Sequence, residues 1–292
     1  MFQGLGTALI TPFKEDLSVD YKALRKIVGF QLSASVDSLI VLGTTGEAPA
    51  IDKEESQKIL STVIEETHGK IPVIAGTGSN NVDHVIENNK IAEKCGASGL
   101  LIVTPYYNKG TQNSLFQFYK FIADQTDLPI ILYNVPSRTG VNLLPETVIR
   151  LFQACNNIIG VKEAGGDISQ IAQLIATRPE GLKVYSGNDD QTLPVMALGG
   201  EGVISVISNI VPDRMRQLTD AMLARDLIEA RKINNRLLKL MNDLFLEVNP
   251  IPVKYAAALM GLCRNTLRLP LAPISSENGK KLQITMQNLE II

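Results

Sequence analysis

The chain alternates between two hydrophobic rhythms. Short continuous apolar runs, of the kind expected for strands buried on both faces, occur at residues 5–10, 38–42, 71–75, 99–103, 129–133, 158–162, 183–186 and 202–206. Between them, apolar positions recur at three- and four-residue spacing. Tyr21, Leu24, Ile27, Val28 and Leu32 share one helix face behind Asp20, a side chain suited to cap that helix. Asp52 and Glu55 form a D-x-x-E capping pattern ahead of Ile59, Leu60, Val63 and Ile64. Leu115, Phe116, Tyr119 and Ile122 mark another helix, and Ile168, Ile171, Ala172 and Ile175 a further one. Eight strand-then-helix units predict an α/β protein, a closed (β/α)8 TIM barrel rather than an open doubly wound sheet.

Helical patterning continues past the eighth unit. Leu227, Ile228, Ile233, Leu237, Met241 and Leu244 follow Arg225, the pair Asn249-Pro250 breaks that helix, and helices near 253–260 and 279–288 finish the chain. The expected organisation is a barrel carrying the active site over residues 1–224 and a C-terminal helical appendix over 225–292. No low-complexity linker separates them, and the appendix is expected to pack on the barrel or on a partner subunit.

Composition then removes whole classes of function. Across 292 residues, 28 Lys and Arg face 30 Asp and Glu, a net charge of −2 without the basic excess of a nucleic-acid binder. Aromatic residues are 5 % and Trp is absent, which speaks against base stacking. Cys95, Cys155 and Cys263 are too few and too scattered for a disulfide framework or a thiolate metal site, and suit core thiols. His68 and His84 are too few for a multi-histidine metal site or a Ser-His triad. The first residues lack a basic segment followed by a long apolar run, and no stretch of about 18 uninterrupted apolar residues occurs. The expectation is a cytoplasmic protein with neither signal peptide nor membrane partner. Gly76-Thr77-Gly78 has Asn81 where a dinucleotide fingerprint needs its third glycine, and no Gly-Lys-Ser/Thr is present, so no nucleotide cofactor is expected.

In a barrel of this kind, chemistry gathers at the C-terminal ends of the strands. Lys162 closes the run Ile158-Ile159-Gly160-Val161, where a side chain cannot easily reach water. Burial favours the neutral amine, a nucleophile toward carbonyl carbon, so Lys162 is a Schiff-base candidate. A lysine ending a strand and pairing with a carboxylate such as Glu163 fits the position equally well. With no histidine at any strand end, Tyr133 and Tyr107 are the candidates to move protons, linked by the hydroxyl of Thr44. Tyr133 read alone is a core aromatic. Thr44 and Thr45, between Gly43 and Gly46, offer hydroxyls and backbone N–H groups to a small carboxylate, or make an ordinary turn. Arg138 has the fork to grip a second carboxylate, or pairs locally.

The segments Gly43-Thr44-Thr45-Gly46-Glu47, Thr104-Pro105-Tyr106-Tyr107, Tyr133-Asn134-Val135-Pro136-Ser137-Arg138-Thr139-Gly140, Gly160-Val161-Lys162-Glu163-Ala164 and Gly202-Val203-Ile204-Ser205-Val206 stand in the order found in the dihydrodipicolinate synthase (4-hydroxy-tetrahydrodipicolinate synthase) family, which the chain resembles along essentially its whole length. The resemblance implies that Lys162 condenses with pyruvate and that the resulting enamine attacks aspartate semialdehyde, giving the heterocyclic precursor of diaminopimelate and lysine. It implies a relay of Tyr133, Thr44 and Tyr107, with Thr45 on the pyruvate carboxylate and Arg138 on that of the semialdehyde. Gly187 and Ile204 would line the pyruvate pocket through their backbones. No metal or organic cofactor is implied. Tyr107 would reach into a neighbouring subunit, in a homotetramer built from tight dimers. A lysine-feedback site in part of the family matches Asn80 and Tyr106 here, but has a glutamate at His84 and histidines at Lys53 and Ser56. A neutral or partly positive His84 cannot replace a carboxylate beside an ammonium group, so weak feedback is expected. Sister pyruvate aldolases, such as N-acetylneuraminate lyase or keto-deoxy sugar-acid aldolases, share the lysine and tyrosine, and Arg138 argues for an acidic aldehyde instead. A non-catalytic keto-acid sensor would have no need of Lys162.

Overall fold

In the computed structural model, which describes residues 2–292, eight parallel strands close in chain order into one barrel. They are β1 (Gly4–Ala8), β2 (Ser38–Val41), β3 (Val73–Gly76), β4 (Gly99–Val103), β5 (Ile130–Asn134), β6 (Ile158–Glu163), β7 (Lys183–Ser186) and β8 (Gly202–Ser205), with β8 paired back onto β1. Every expected apolar run holds a strand, and the fold is the TIM barrel. Differences at the strand ends have backbone causes. Pro72 and Pro129 have no N–H for the ladder, so β3 and β5 begin one residue after each. β1 stops at Ala8, and the amide of Ile10 donates to the Asn209 side chain (3.1 Å) rather than to a strand.

Because side chains alternate along each strand, the barrel builds two cores. Outward residues such as Leu39, Leu100, Leu132 and Val184 pack with helix residues such as Ile27, Ile59 and Leu115. Inward residues Ala8, Ile40, Ile74, Leu101, Ile131 and Ile204 fill the interior. The N-terminal end is plugged by Phe2, whose ring stacks on Tyr185 with centroids 4.6 Å apart and whose carbonyl accepts the Tyr185 hydroxyl at 2.7 Å.

The helices start where their caps sit. Asp20 accepts the Ala23 amide ahead of Tyr21–Ser33, and Asp52 with Glu55 forms the reciprocal capping box of Lys53–Thr67. Asn81, standing where a fingerprint glycine would, caps Val82–Cys95 instead. After β8 come Pro212–Leu223, Leu227–Asp243, Ile251–Leu259 and Ser276–Asn288. The last begins three residues before the expected 279, because Ser275 accepts the Asn278 amide and so sets the start. In Leu227–Asp243, Leu237, Leu240 and Met241 are buried, whereas Leu227 and Ile228 lie on the solvent side of the first turn.

Candidate active site

The register between β5 and β6 sets Tyr133 beside Lys162 and Asn134 beside Glu163. Strand alternation sends the first pair into the barrel and the second outward. The Lys162 amine lies 4.4 Å from the centre of the Tyr133 ring, and the two side chains are 5 % and 7 % exposed. Glu163 is held on the other face: the Asn134 Nδ2 group donates to both its oxygens (3.0 and 3.1 Å), and the Gly165 N–H donates to Oε1 (2.8 Å). Burial pushes the Glu163 carboxyl up to about 7 against the pull of those donors. Among the described residues Lys162 makes no ion pair with Glu163, so that alternative for the lysine falls away.

The β2–helix connection is a tight turn. Thr44–Gly46 forms one turn of 3-10 helix, and Glu47 follows in the left-handed region at φ 56°. Thr45 is buried, and its Oγ1 accepts the Nδ2 group of Asn249 at 2.9 Å. Glu47 is also buried. Its Oε1 meets the Lys254 amine at 2.6 Å, and its Oε2 accepts the Arg268 N–H at 3.0 Å. Burial pushes the Lys254 amine below the usual lysine range, with Glu47 opposing.

Arg138 stands on the short helical turn Pro136–Thr139 that follows β5. The Thr104 hydroxyl donates to Thr139 Oγ1 at 3.2 Å and anchors that turn. The Arg138 guanidinium donates to the Asn249 carbonyl at 3.1 Å. A cavity of about 640 Å³ has Thr44, Tyr133, Val135 and Arg138 in its wall. Gly187 packs closely on the end of β6: its N–H donates to the Glu163 carbonyl at 2.7 Å, and a Cβ there would lie 2.5 Å from that of Ala164. Ile204 is in the interior core.

Thr44, Tyr133 and Arg138 therefore share one cavity, with Lys162 against Tyr133. Tyr107 does not join them within the chain: it is 87 % exposed, with φ 75°. Lys53, Ser56, His84 and Tyr106 line the far side of the same cavity, while Asn80 is exposed and outside its wall. The Lys53 amine is met by Glu87 at 2.6 Å. Sequence reasoning missed Asn249, Lys254 and Asp189. Asp189 is buried and its Oδ2 accepts the N–H groups of Val206 and Ile207 at 3.0 and 2.9 Å. Burial pushes its carboxyl up, while those donors and the charge of Lys162 draw it back. The run Gly187-Asn188-Asp189-Asp190 at a strand end was the available signal for Asp189.

The model of the dihydrodipicolinate synthetase family matches residues 1–289. The chain belongs to this family. It is 48 % identical over 286 residues to the 4-hydroxy-tetrahydrodipicolinate synthase of Thermotoga neapolitana, covering 97 % of each chain. The crystal structure of dihydrodipicolinate synthase from Thermotoga maritima superposes with a TM-score of 0.98 at 45 % identity, covering 100 % of both chains. The chloride-inhibited synthase of Acinetobacter baumannii, complexed with pyruvate, also superposes at 0.98, with 41 % identity over 100 % of both chains. Within this family fold, the Lys162–Tyr133 pair sits at the mouth of the barrel, where βα connections supply the remaining groups.

Proposed function

We propose that the protein condenses pyruvate with aspartate 4-semialdehyde to give 4-hydroxy-tetrahydrodipicolinate and water. The observation that carries this reading is the buried Lys162 amine 4.4 Å from the Tyr133 ring, beside a cavity walled by Thr44 and Arg138. The amine adds to the C2 carbonyl of pyruvate, and the carbinolamine loses water to leave a Schiff base. Loss of a C3 proton gives the enamine, whose C3 attacks the aldehyde carbon. The amino group of the bound semialdehyde then attacks C2, closes the ring and releases Lys162. Tyr133 carries protons for these steps, with Thr44 and the Tyr107 of a neighbouring copy completing the relay. Thr45 and the backbones at Gly187 and Ile204 hold pyruvate, and Arg138 receives the semialdehyde carboxylate.

The assembly we propose is a homotetramer; the 87 % exposure of Tyr107, on a left-handed residue, supports its ring being covered by a partner copy. We place the barrel at residues 1–224 and the helical appendix at 225–292, in a cytoplasmic protein. No helix among the described residues is long and apolar enough to cross a membrane. The test is borohydride reduction in the presence of pyruvate followed by peptide mapping. A reduced adduct is expected on Lys162 alone, and active enzyme with an unmodified Lys162 would refute the mechanism.

A further inference from the structure

We infer that Asn249 is a positioning residue whose side chain aims the Thr45 hydroxyl, on a backbone segment whose carbonyl also holds the Arg138 guanidinium. The inference rests on the roles proposed above for Thr45 and Arg138. A threonine hydroxyl has one proton and two lone pairs. The Asn249 Nδ2 group, 2.9 Å from Thr45 Oγ1, occupies a lone pair and leaves the proton free to point away from Asn249. A carboxylate only accepts hydrogen bonds, so a free hydroxyl proton is what it requires. The reversed amide would draw that proton toward Asn249 and leave the substrate facing lone pairs. The backbone carbonyl of the same residue accepts the Arg138 guanidinium at 3.1 Å.

Two further observations support this role. Asn249 leads into the helix Ile251–Leu259, whose Lys254 is paired at 2.6 Å with Glu47. The Thr44–Gly46 turn is therefore tied to this helical segment at Thr45 and again just beyond its end. In addition, Asn249 is 5 % exposed, and its Oδ1 has no hydrogen-bond partner among the described residues. A buried unpaired acceptor weakens a fold, so a residue serving packing alone would do better without it.

The test compares Asn249→Leu, which keeps the shape and removes both polar atoms, with Asn249→Ala as the second variant. Half-saturation for pyruvate is read from borohydride trapping at Lys162 without the second substrate, and KM and kcat from the full reaction. Both variants should raise half-saturation by about five- to tenfold, the loss expected for a hydrogen bond, and change kcat less. Melting of Asn249→Leu should not fall below that of the wild type. Introduced into Thr45→Val, Asn249→Leu should add less than about twofold, because its partner is already gone. Unchanged half-saturation, full additivity with Thr45→Val, or a loss that follows a drop in melting would each overturn the inference. Absence of any pyruvate trapping in the wild type would overturn the proposed reaction and this inference together; trapping with normal half-saturation in the variants would overturn this inference alone.

Discussion

Lys254→Met should leave a buried carboxylate without its counter-charge. Lys254 and Glu47 are 0 % and 3 % exposed, and their 2.6 Å contact is the only ion pair Glu47 makes among the described residues. After the substitution Glu47 keeps the Arg268 N–H at 3.0 Å, a hydrogen bond but not a compensating charge of the same reach. Removing one partner of such a pair typically costs about 3–5 kcal/mol, a large share of the roughly 5–15 kcal/mol that holds a folded chain together. With a urea dependence of about 3 kcal/mol per molar, the unfolding midpoint should drop by about 1–2 M. Urea titrations followed by far-UV circular dichroism, at one protein concentration, measure this. The double variant Lys254→Met/Glu47→Gln removes both charges and should recover most of the loss, since neutral replacement of a buried pair is often harmless. A midpoint shift below about 0.3 M, or a double variant no better than Lys254→Met, would refute the reasoning.

Three further expectations concern charge. Arg138→Ala should leave pyruvate trapping intact and lower kcat/KM for the semialdehyde by about 10- to 150-fold, the loss of a charge-assisted hydrogen bond; equal damage to trapping would remove its role as carboxylate clamp. Glu163 titrates near 7 when folded and near 4.5 when unfolded, so the folded state holds its proton more tightly between those values. Glu163 alone should therefore take about 3 kcal/mol from stability as pH rises from 4.5 through 7, and Glu163→Gln should remove that share of the fall; a stability difference between the two proteins that is equal at pH 5 and pH 8 would contradict this. Lysine should inhibit weakly, because exposed His84 offers no carboxylate to an ammonium group, while the Lys53 amine is paired with Glu87 at 2.6 Å. Half-inhibition at submillimolar lysine in a steady-state titration would show otherwise.

The barrel was legible in the sequence because parallel strands covered on both faces are apolar without interruption, a signal that survives errors of a residue or two at either end. Lys162 was legible for the same reason, as a charge inside such a run. The neighbours of the site were not. Asn249 meets Thr45 across 204 positions of sequence, Lys254 meets Glu47 across 207, and Arg138 reaches Asn249 across 111. Each of these looks like a cap, a surface charge or a helix breaker until the chain closes. The exposure of Leu227 and Ile228 was hidden likewise, since periodicity identifies a helix but not how far it extends past its neighbours.

The plug at the foot of the barrel leaves its chemistry to the other end. Phe2 stacked on Tyr185 fills the foot of the barrel, so small molecules reach Lys162 from the C-terminal ends of the strands. Lys162 lies against Tyr133 near the end of β6, and Tyr133 and Arg138 share the wall of the cavity there. The barrel is thus a stopper rather than a channel: its interior is packed, and what it offers a small molecule is confined to its rim.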